Sequence, residues 1–378
     1  MPIKISQQFD SGSIEVVQAN DPRQIDLNLR SDSHADIRQW FHFRLQGARS
    51  QACTIRFLNA GQATYARGFE GYQVVASYDT ENWFRVPTTF DGQVMTVSHT
   101  PELDSVYYAY FEPYSWERHL RLLGEVAENP LARVTDIGTT IDGRDMNLVV
   151  IGNQHLVNTG AAKKIWVIAR QHPGETMAEW FVEGLMDALL DDANPVSRKL
   201  LTKAVFYIVP NMNPDGAVRG NLRTNAAGAN LNREWMTPTL ERSPEVLCVK
   251  QKIHEVGCDM FFDIHGDEAL PYNFVAGNEM LTDFTPERAV HQSAFIDRYM
   301  SASPDFQNVV GYAASKYRED MLTLASKYIG HTFKCLALTL EMPFKDNADL
   351  PDAYVGWNGS RSVALGAAIL QPILHSLD

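Results

Sequence analysis

A chain of 378 residues is long enough to form two domains, each with a hydrophobic core. Apolar residues make up 45% and charged residues 21% of the sequence, which is typical of a folded globular protein. The net charge of −13 argues against nucleic acid or an anionic membrane as a main partner, because binding to either requires clustered Lys and Arg side chains.

The first residues and the cysteines indicate the compartment. The sequence MPIKISQQFD lacks the apolar core of a secretory signal, and no run of about 18 apolar residues could span a bilayer. Scattered cysteines without a CxxC pair are typical of reduced thiols rather than of a disulfide framework or a structural zinc site. They are Cys53, Cys248, Cys258 and Cys335. We therefore predict a cytoplasmic protein.

Residues 1–112 are predicted to form an N-terminal antiparallel β-sandwich domain. Short alternating runs recur at intervals of about ten residues, and turn formers such as Asp91-Gly92 separate them. The runs are SIEVVQA, IDLNLR, WFHFRLQG, CTIRFLNA, YQVVASYD, VMTVSH and VYYAYFEP. The histidines of this region, His34, His42 and His99, are isolated in the sequence, so we expect none of them to bind a metal.

At Pro113 the apolar period changes, and a second domain covering residues 113–378 is predicted to begin. The segment SWERHLRLLGEVAENP is predicted to be a helix, because its apolar residues recur at helical spacing. These residues are Trp116, Leu120, Leu123 and Val126. Farther along, strand-like and helix-like runs alternate, which predicts an α/β fold with a largely parallel or mixed sheet. The predicted elements are a hairpin turning at Asp142-Gly143, strand 165–169, helix 176–191, strand 204–210, helix 244–256, strands MFFDIHG and CLALTLEMPF, and a closing helix 357–377.

The stretch 165–177, IWVIARQHPGETM, runs from an apolar strand through a turn into an amphipathic helix. His172 and Glu175 lie at this turn, at the carboxyl edge of the predicted sheet, where open α/β sheets place their sites. An imidazole and a carboxylate so spaced can both reach one ion, at about 2 Å from each donor atom. The pair alone is a weak signal. The alternative is that His172 caps the following helix, while Glu175 lies in its first turn, where the helix dipole stabilises a negative charge.

The helix that follows carries Glu179, Glu183 and Asp187 at intervals of four residues, and we expect this acidic row to face solvent.

Two further strands end in polar side chains, and one long loop carries several more. The strand MFFDIHG reaches His265, and CLALTLEMPF reaches Glu341. Two imidazoles and one carboxylate make a catalytic zinc shell with a fourth position for water. Glu341 is the residue that a purely structural role explains least well, because burying a lone carboxylate is costly unless a cation lies nearby. The long loop after strand 204–210 carries three arginines and little periodicity, which is typical of a functional loop.

With these elements in order, the sequence resembles the zinc metallocarboxypeptidases of the carboxypeptidase A superfamily. It is most similar to their cytosolic carboxypeptidase branch, which pairs an N-terminal β-domain with the peptidase domain. The motifs that carry the resemblance cover about residues 113–345 in the expected order. They are HPGET at 172–176, NPDG at 213–216, Gly220-x-x-Arg223, Gly228-x-x-Leu231-Asn232-Arg233, Asp263-x-His265-Gly266 and Thr339-x-Glu341.

The resemblance implies an α/β, mixed-sheet peptidase domain with one zinc ion per chain. His172, Glu175 and His265 would bind this ion. The implied reaction removes the C-terminal residue of a peptide or protein by attack of a metal-activated water. Cytosolic relatives in animals trim glutamates from acidic protein tails, so acidic C-terminal residues are candidate substrates here.

Four further roles follow from the same resemblance. Glu341 would be the general base and acid, and Arg223 would polarise the scissile carbonyl. Asn232 and Arg233 would bind the terminal carboxylate of the substrate, for which the planar guanidinium is well matched. The alternative is that the loop arginines, including Arg219, only tie the loop down through contacts with carbonyl groups.

Three departures from the family pattern stand out. Asn230 occupies a position where many relatives have Asp, next to the first zinc histidine, so a weaker partner for His172 and a lower zinc affinity are expected. The run from His265 to Glu268 reads HGDE where cytosolic relatives often read HGHS, which predicts a different substrate rim. The mobile tyrosine of the family has no secure match, although Tyr312 and Tyr317 lie in the plausible window.

Two other functions remain open at this point. A zinc amide deacylase acting on N-acyl amino acids uses a similar HxxE and a distant His, although the Asn232-Arg233 pair and the NPDG loop favour a peptidase. A catalytically inactive zinc domain that serves binding is the other alternative, and the presence of Glu341 and Arg223 argues against it.

Overall fold

The computed structural model describes residues 3–159, 162–313, 316 and 318–377. Its N-terminal part consists of two five-stranded sheets, which we call the N-terminal sandwich, and the remainder is built on one seven-stranded sheet. The α/β class and the N-terminal sandwich that were predicted are confirmed. The boundary after residue 112 stays a prediction.

Ten strands form the N-terminal sandwich. They are β1 (Lys4–Ser6), β2 (Glu15–Asp21), β3 (Gln24–Asn28), β4 (His42–Gln46), β5 (Cys53–Phe57), β6 (Val74–Ser77), β7 (Trp83–Val86), β8 (Thr88–Phe90), β9 (Met95–His99) and β10 (Ser105–Ala109). One sheet has the order β1-β4-β10-β6-β7 and the other β2-β3-β5-β9-β8. All neighbours are antiparallel except β3 and β5, which run parallel. Short 3₁₀ helices span Ala60–Gln62 and Ala66–Phe69.

The second part begins with a helix and alternates strands with helices. Its elements are α1 (Trp116–Ala127), β11 (Ala132–Thr139), β12 (Asp145–Ile151), α2 (Gln154–Thr159), β13 (Lys163–Ala169), α3 (Met177–Leu190), α4 (Pro195–Leu200), β14 (Ala204–Val209), α5 (Pro214–Arg219), α6 (Pro244–Val256), β15 (Met260–Asp267), β16 (Phe274–Ala276), α7 (Pro286–Ala302), α8 (Ala325–Phe333), β17 (Leu336–Pro343), α9 (Gly359–Ala368) and α10 (Leu370–Ser376). Further 3₁₀ helices span Leu231–Arg233 and Glu319–Thr323. Among the described residues, no helix is both long and apolar enough to cross a membrane.

The large sheet is mixed, as predicted, with the order β11-β12-β14-β13-β15-β17-β16. The four strands β14, β13, β15 and β17 are parallel, and antiparallel strands flank them on both sides. Parallel strands buried on both faces consist of nearly continuous apolar residues, and all residues of β14 are buried. The carboxyl ends of β13, β15 and β17 therefore meet at one edge, where His265 pairs in register with Glu341.

Helices cover both faces of this sheet, and the two parts of the chain share one apolar cluster. Tyr110 of the sandwich stacks on Phe344 just after β17, with ring centroids 4.5 Å apart. The buried guanidinium of Arg85 donates to the carbonyl oxygens of Phe344 and Trp357, both at 3.0 Å. Burial of these groups holds the sandwich against the carboxyl edge of the large sheet.

The closing helix predicted over 357–377 is instead two helices, α9 and α10. Pro372 explains the break, because its ring clashes with the carbonyl four residues earlier, which belongs to Ala368 at the end of α9. Before this break α9 packs closely on α3, where a Cβ added at Gly366 would lie 1.9 Å from the carbonyl oxygen of Phe181.

The prediction that the acidic row of α3 faces solvent is wrong for Glu179, which is fully buried. Its carboxylate accepts hydrogen bonds at 2.6 Å from both His119 Nδ1 and Arg170 Nη1. Helix α1 covers this face of α3, and the buried guanidinium compensates the buried carboxylate. On α1 itself Leu120 is exposed and Leu122 takes its place in the core.

Candidate active site and metal centre

Three side chains predicted as metal ligands converge at the carboxyl edge of the large sheet. His172 and Glu175 lie in the segment between β13 and α3, and His265 lies near the end of β15. Glu175 Oε1 lies 2.8 Å from His172 Nδ1, and Glu175 Oε2 lies 2.8 Å from His265 Nδ1. The two Nδ1 atoms are 3.2 Å apart, and all three side chains are buried. Their donor atoms therefore surround one point.

The outer nitrogens of both imidazoles face oxygen acceptors. His172 Nε2 lies 3.1 Å from Asn230 Oδ1, which confirms the predicted contact between these residues. His265 Nε2 lies 2.8 Å from Asp263 Oδ1. Such partners hold the proton on Nε2 and leave Nδ1 as a free lone pair aimed at the centre.

This arrangement fits a zinc ion. With Nε2 protonated, two nitrogen lone pairs and a carboxylate face one another at distances at which acceptors repel unless a positive charge lies between them. Two imidazoles and one carboxylate are a common catalytic zinc shell. Within the part of the chain that the structure describes, this is the one group of three or more His, Cys, Asp or Glu side chains so disposed.

The pKa values of the three groups reflect burial and mutual contact. Burial lowers the pKa of His172 to about 4, so its imidazole is neutral at pH 7. Burial also disfavours the charged forms of Glu175 and His265. The neighbouring imidazoles nevertheless hold the pKa of Glu175 below its usual range, and Asp263 and Glu175 raise that of His265.

Glu341 lies beside the same side chains, on β17 in register with His265, and is 6% exposed. Its Oε2 atom has no hydrogen-bond partner among the described residues. Burial raises the pKa of Glu341 well above its usual range, and His265 opposes this rise. Tyr312 lies beside Glu341 and donates its hydroxyl proton to Asp267 at 2.8 Å, whereas Tyr317 lies outside the described residues.

The loop after β14 brings Arg223 to the centre. Its guanidinium carbon lies 5.3 Å from the centroid of the Tyr65 ring. Burial lowers the pKa of Arg223, but Tyr65, Glu268 and Glu175 more than offset this effect and raise it. Arg219, in contrast, forms a bidentate pair with Asp142 at 2.7 and 2.9 Å. The alternative role of anchoring the loop therefore fits Arg219 but not Arg223.

Asn232 and Arg233 lie in the 3₁₀ helix beyond this loop. Asn232 is buried, accepts the N–H of Ala325 at 2.9 Å, and has its Nδ2 atom 3.4 Å from His265 Nε2. Arg233 is exposed and donates one Nη1 proton to the carbonyl oxygen of Asn232 at 2.6 Å. Asn232 therefore borders the centre directly, and the guanidinium of Arg233 lies one step farther out, where it interacts electrostatically with Arg223 and Tyr65.

Three residues near the centre received no role from the sequence. Asp263 holds His265, and the period of two along β15 was a signal that could have indicated it, since Asp263 lies on the same face as His265. Glu268 is buried, its Oε1 has no partner in the described part of the chain, and burial raises its pKa to about 8. Tyr65 comes from the N-terminal sandwich, and nothing in the sequence linked it to a site more than a hundred positions away.

A mixed α/β sheet with two histidines, two glutamates and an arginine-rich loop at its carboxyl edge defines a metallopeptidase type of hydrolase. Residues 120–283 match the family described as zinc carboxypeptidase, and residues 5–111 match the cytosolic carboxypeptidase N-terminal domain. The chain therefore belongs to the zinc carboxypeptidase family, in its branch with the cytosolic carboxypeptidase N-terminal domain, and it is a metallocarboxypeptidase.

Solved structures and curated relatives agree with this assignment. A metallo-carboxypeptidase from Burkholderia cenocepacia is 59% identical, with a TM-score of 0.98 and coverage of 100% of this chain and 99% of that one. A metallo-carboxypeptidase from Pseudomonas aeruginosa, in complex with (2-guanidinoethylmercapto)succinic acid, is 44% identical, with a TM-score of 0.95 and coverage of 99% and 100%. Mouse cytosolic carboxypeptidase 6 is 26% identical over 89% of this chain, which spans 66% of that protein.

Proposed function

We propose that this metallocarboxypeptidase is zinc-dependent and removes the C-terminal residue of a peptide or protein. The convergence of His172, Glu175 and His265 on one point, beside the unpartnered oxygen of Glu341, is the observation that carries the proposal. The family name implies zinc, and the His, Glu and His donors fit one ion per chain. Residence in the cytoplasm is also proposed, supported by the names of the cytosolic relatives and by four free cysteines.

In this proposal Glu341 moves the proton. Zinc, when bound, supplies Lewis-acid chemistry and makes a water molecule acidic near neutral pH. Glu341 takes a proton from the attacking water and later donates it to the nitrogen of the leaving amine. The Oε2 atom of its buried carboxylate has no hydrogen-bond partner among the described residues, so this oxygen is available to the water. A cation bound beside it would lower the pKa that burial raises and favour the proton-accepting form.

Arg223 stabilises the negative charge that develops on the scissile carbonyl oxygen. Its guanidinium is already electrostatically coupled to Glu175 and Glu341, which supports a place beside the reacting bond. Loss of one such donor typically lowers the rate by about 10²–10³-fold. Asn232 and Arg233 bind the free carboxylate of the substrate, and the succinic acid ligand of the Pseudomonas aeruginosa relative supports a carboxylate-binding site.

An acidic side-chain preference is proposed, with Lys327 as the residue that recognises it. Lys327 is a buried cation that donates to the carbonyl oxygen of Gly277, next to Ala276, the register partner of Thr339. Ser326 Oγ lies 2.7 Å from Thr339 Oγ1, two residues before Glu341 on the same strand face. Lys327 therefore lies beside the part of β17 that precedes Glu341, and its ammonium group interacts electrostatically with Asp263, the partner of His265. A local cation of this kind is what an acidic protein needs to bind an acidic residue.

The substrate test is a panel of free-carboxyl peptides that differ only at the last residue. We expect Glu and Asp to be released fastest, and Lys327→Met to lower kcat/KM for these two by about tenfold or more, as for loss of a charged hydrogen-bond partner. Lys250→Met is the matched control, since Lys250 also donates to backbone carbonyls, but to those of Trp235 and Met236 rather than to that of Gly277 beside β17. An equal loss of kcat/KM for apolar and acidic peptides would show that Lys327 does not recognise the side chain of the C-terminal residue.

Recognition of the terminal carboxylate is tested with Arg233→Lys and with C-terminally amidated peptides. We expect amidated peptides to resist cleavage, and Arg233→Lys to raise KM by about tenfold, because an ammonium cannot copy a bidentate contact. Arg219→Lys serves as control because Arg219 pairs with Asp142. N-acyl amino acids are assayed in parallel. Fast hydrolysis of these compounds alone would favour the deacylase, and no hydrolysis of any substrate would favour an inactive binding domain.

Asn230→Asp is expected to bind zinc about 10–100-fold more tightly. A carboxylate in place of the amide at 3.1 Å from His172 Nε2 would raise the basicity of that imidazole. The measurement is a competition titration against a chromogenic chelator at fixed pH. An unchanged or weaker zinc affinity would contradict the proposed influence of Asn230 on the metal ligand.

A further inference from the structure

A carboxylate of the N-terminal sandwich holds the backbone of the Arg223 loop. Asp32 accepts the N–H groups of three consecutive residues, Leu222 at 2.7 Å, Arg223 at 2.8 Å and Thr224 at 2.9 Å. It also accepts the Thr224 hydroxyl at 3.1 Å, and it is only 6% exposed. Four hydrogen bonds to a buried carboxylate fix the course of the chain at Arg223 far more firmly than a surface contact would.

A second residue of the sandwich contacts the side chain of Arg223. The guanidinium lies over the Tyr65 ring, with 5.3 Å from its carbon to the ring centroid, which is within the range of a cation–π contact. Tyr65 is itself held in place by Gln39, whose amide group exchanges hydrogen bonds of 3.0 and 3.1 Å with the backbone N–H and C=O of Tyr65. The guanidinium therefore has a fixed wall on one side.

Further contacts seat the same loop on the sandwich. The backbone N–H of Ser33 donates to Asn221 Oδ1 at 3.0 Å. Gly220, at φ +68°, approaches so closely that an added Cβ would lie 2.6 Å from the carbonyl oxygen of Ser11. These contacts add to hydrogen bonds within the loop, such as that from the Asn221 amide to the carbonyl oxygen of Thr224 at 2.9 Å, so the sandwich contributes to the order of the chain around Arg223.

We propose that Asp32 and Tyr65 are positioning residues for Arg223, so that the N-terminal sandwich is part of the catalytic apparatus. Asp32 sets where the backbone of Arg223 lies, and Tyr65 sets where its guanidinium points. The inference rests on the proposed role of Arg223 in stabilising the carbonyl oxygen. It gives the N-terminal sandwich a task in catalysis, which separates it from a domain that only binds partners or aids folding.

The test is a double-mutant cycle on the zinc-loaded full chain. Asp32→Asn keeps the shape but places an amide against N–H donors, and we expect kcat to fall by about 10–100-fold with KM changed much less, as for a misplaced catalytic group. In an Arg223→Ala background the same change should have almost no further effect. Asp26→Asn is the matched control, because Asp26 is equally buried at 6% and pairs with Arg56 within the sandwich. It should retain wild-type kcat.

Variants of Tyr65 provide a second, independent test in case the Asp32→Asn protein folds poorly. Tyr65→Leu should lower kcat, and Tyr65→Phe should lower it less, since Phe keeps the aromatic face. The proposal is overturned if Asp32→Asn and Tyr65→Leu leave kcat unchanged, or if their losses multiply with that of Arg223→Ala, as a purely structural role would give. Wild-type protein that is inactive on every free-carboxyl peptide would instead contradict the proposed function itself.

Discussion

Replacing Glu341 with Gln is expected to lower kcat by about 10²–10⁴-fold without loss of zinc, because an amide of the same shape cannot take a proton from water. Glu341 is 6% exposed, its Oε2 has no partner among the residues described, and its strand brings it level with His265. The measurement is kcat on a free-carboxyl peptide together with zinc content per chain. Retained zinc separates lost chemistry from a lost site.

Two further measurements strengthen this experiment. Glu112→Gln is the control, since Glu112 also has a largely buried carboxyl group with a raised pKa, about 7, but this group accepts the N–H of Gly359 and only its backbone carbonyl contacts Thr176, the neighbour of Glu175. It should retain wild-type kcat. The melting temperature of Glu341→Gln should not fall, because a neutral amide replaces a costly buried carboxyl group. Full turnover by Glu341→Gln would refute the proposed general base.

Replacing His265 with Ala is expected to reduce zinc from one ion per chain to nearly none after dialysis, and to abolish turnover. The reason is geometric: His265 Nδ1 lies 2.8 Å from Glu175 Oε2 and 3.2 Å from His172 Nδ1, so its loss removes one of three donors around a single point. The change also removes His265 as a partner of Asp263, which keeps the Gln171 amide as a donor at 2.9 Å to both of its oxygens, so a moderate loss of stability is expected as well. Zinc content and thermal unfolding are measured together.

The control for this variant is His42→Ala. His42 is 5% exposed, close to the 2% of His265, but its Nδ1 lies 3.0 Å from Ser11 Oγ in the N-terminal sandwich. His42→Ala should lose stability and keep its zinc, which separates general destabilisation from loss of a ligand. A folded His265→Ala that holds a full zinc ion with wild-type affinity would contradict the assignment.

Local patterns predicted most elements of the fold. Helix α6 begins and ends at the predicted residues Pro244 and Val256, because a proline at the start, a glycine after the end and apolar periodicity all act within the segment. Three short strands of the sandwich, β1, β7 and β8, were missed. Each has only three or four residues, too few for an alternating pattern to be recognised, and each depends on pairing with a neighbour.

The burial of Glu179 shows the limit of reading one helix at a time. A repeat of acidic residues on α3 predicts a solvent-exposed face, and the prediction holds for Asp187, which is exposed. It fails at Glu179 because Arg170, nine positions earlier, and His119 on α1 meet that carboxylate in the interior. The pairing of Glu179 with these two residues depends on how α1 packs against α3, and the sequence of α3 alone cannot predict that packing.

By itself the sequence determined six of the seven strands of the large sheet, the helices α1, α3 and α6, the side chains that end its strands, and the family to which the chain belongs. These features follow from the spacing and chemistry of residues that are near neighbours along the chain, and from motifs that occur in the order expected for the family. Only the tertiary structure decided that Asp263 holds the imidazole of His265, that Glu341 keeps an oxygen free, and that Asp32 and Tyr65 reach Arg223. Contacts between residues as distant as 32 and 223 are set by strand order and by the packing of two sheet systems, neither of which any local stretch of sequence encodes.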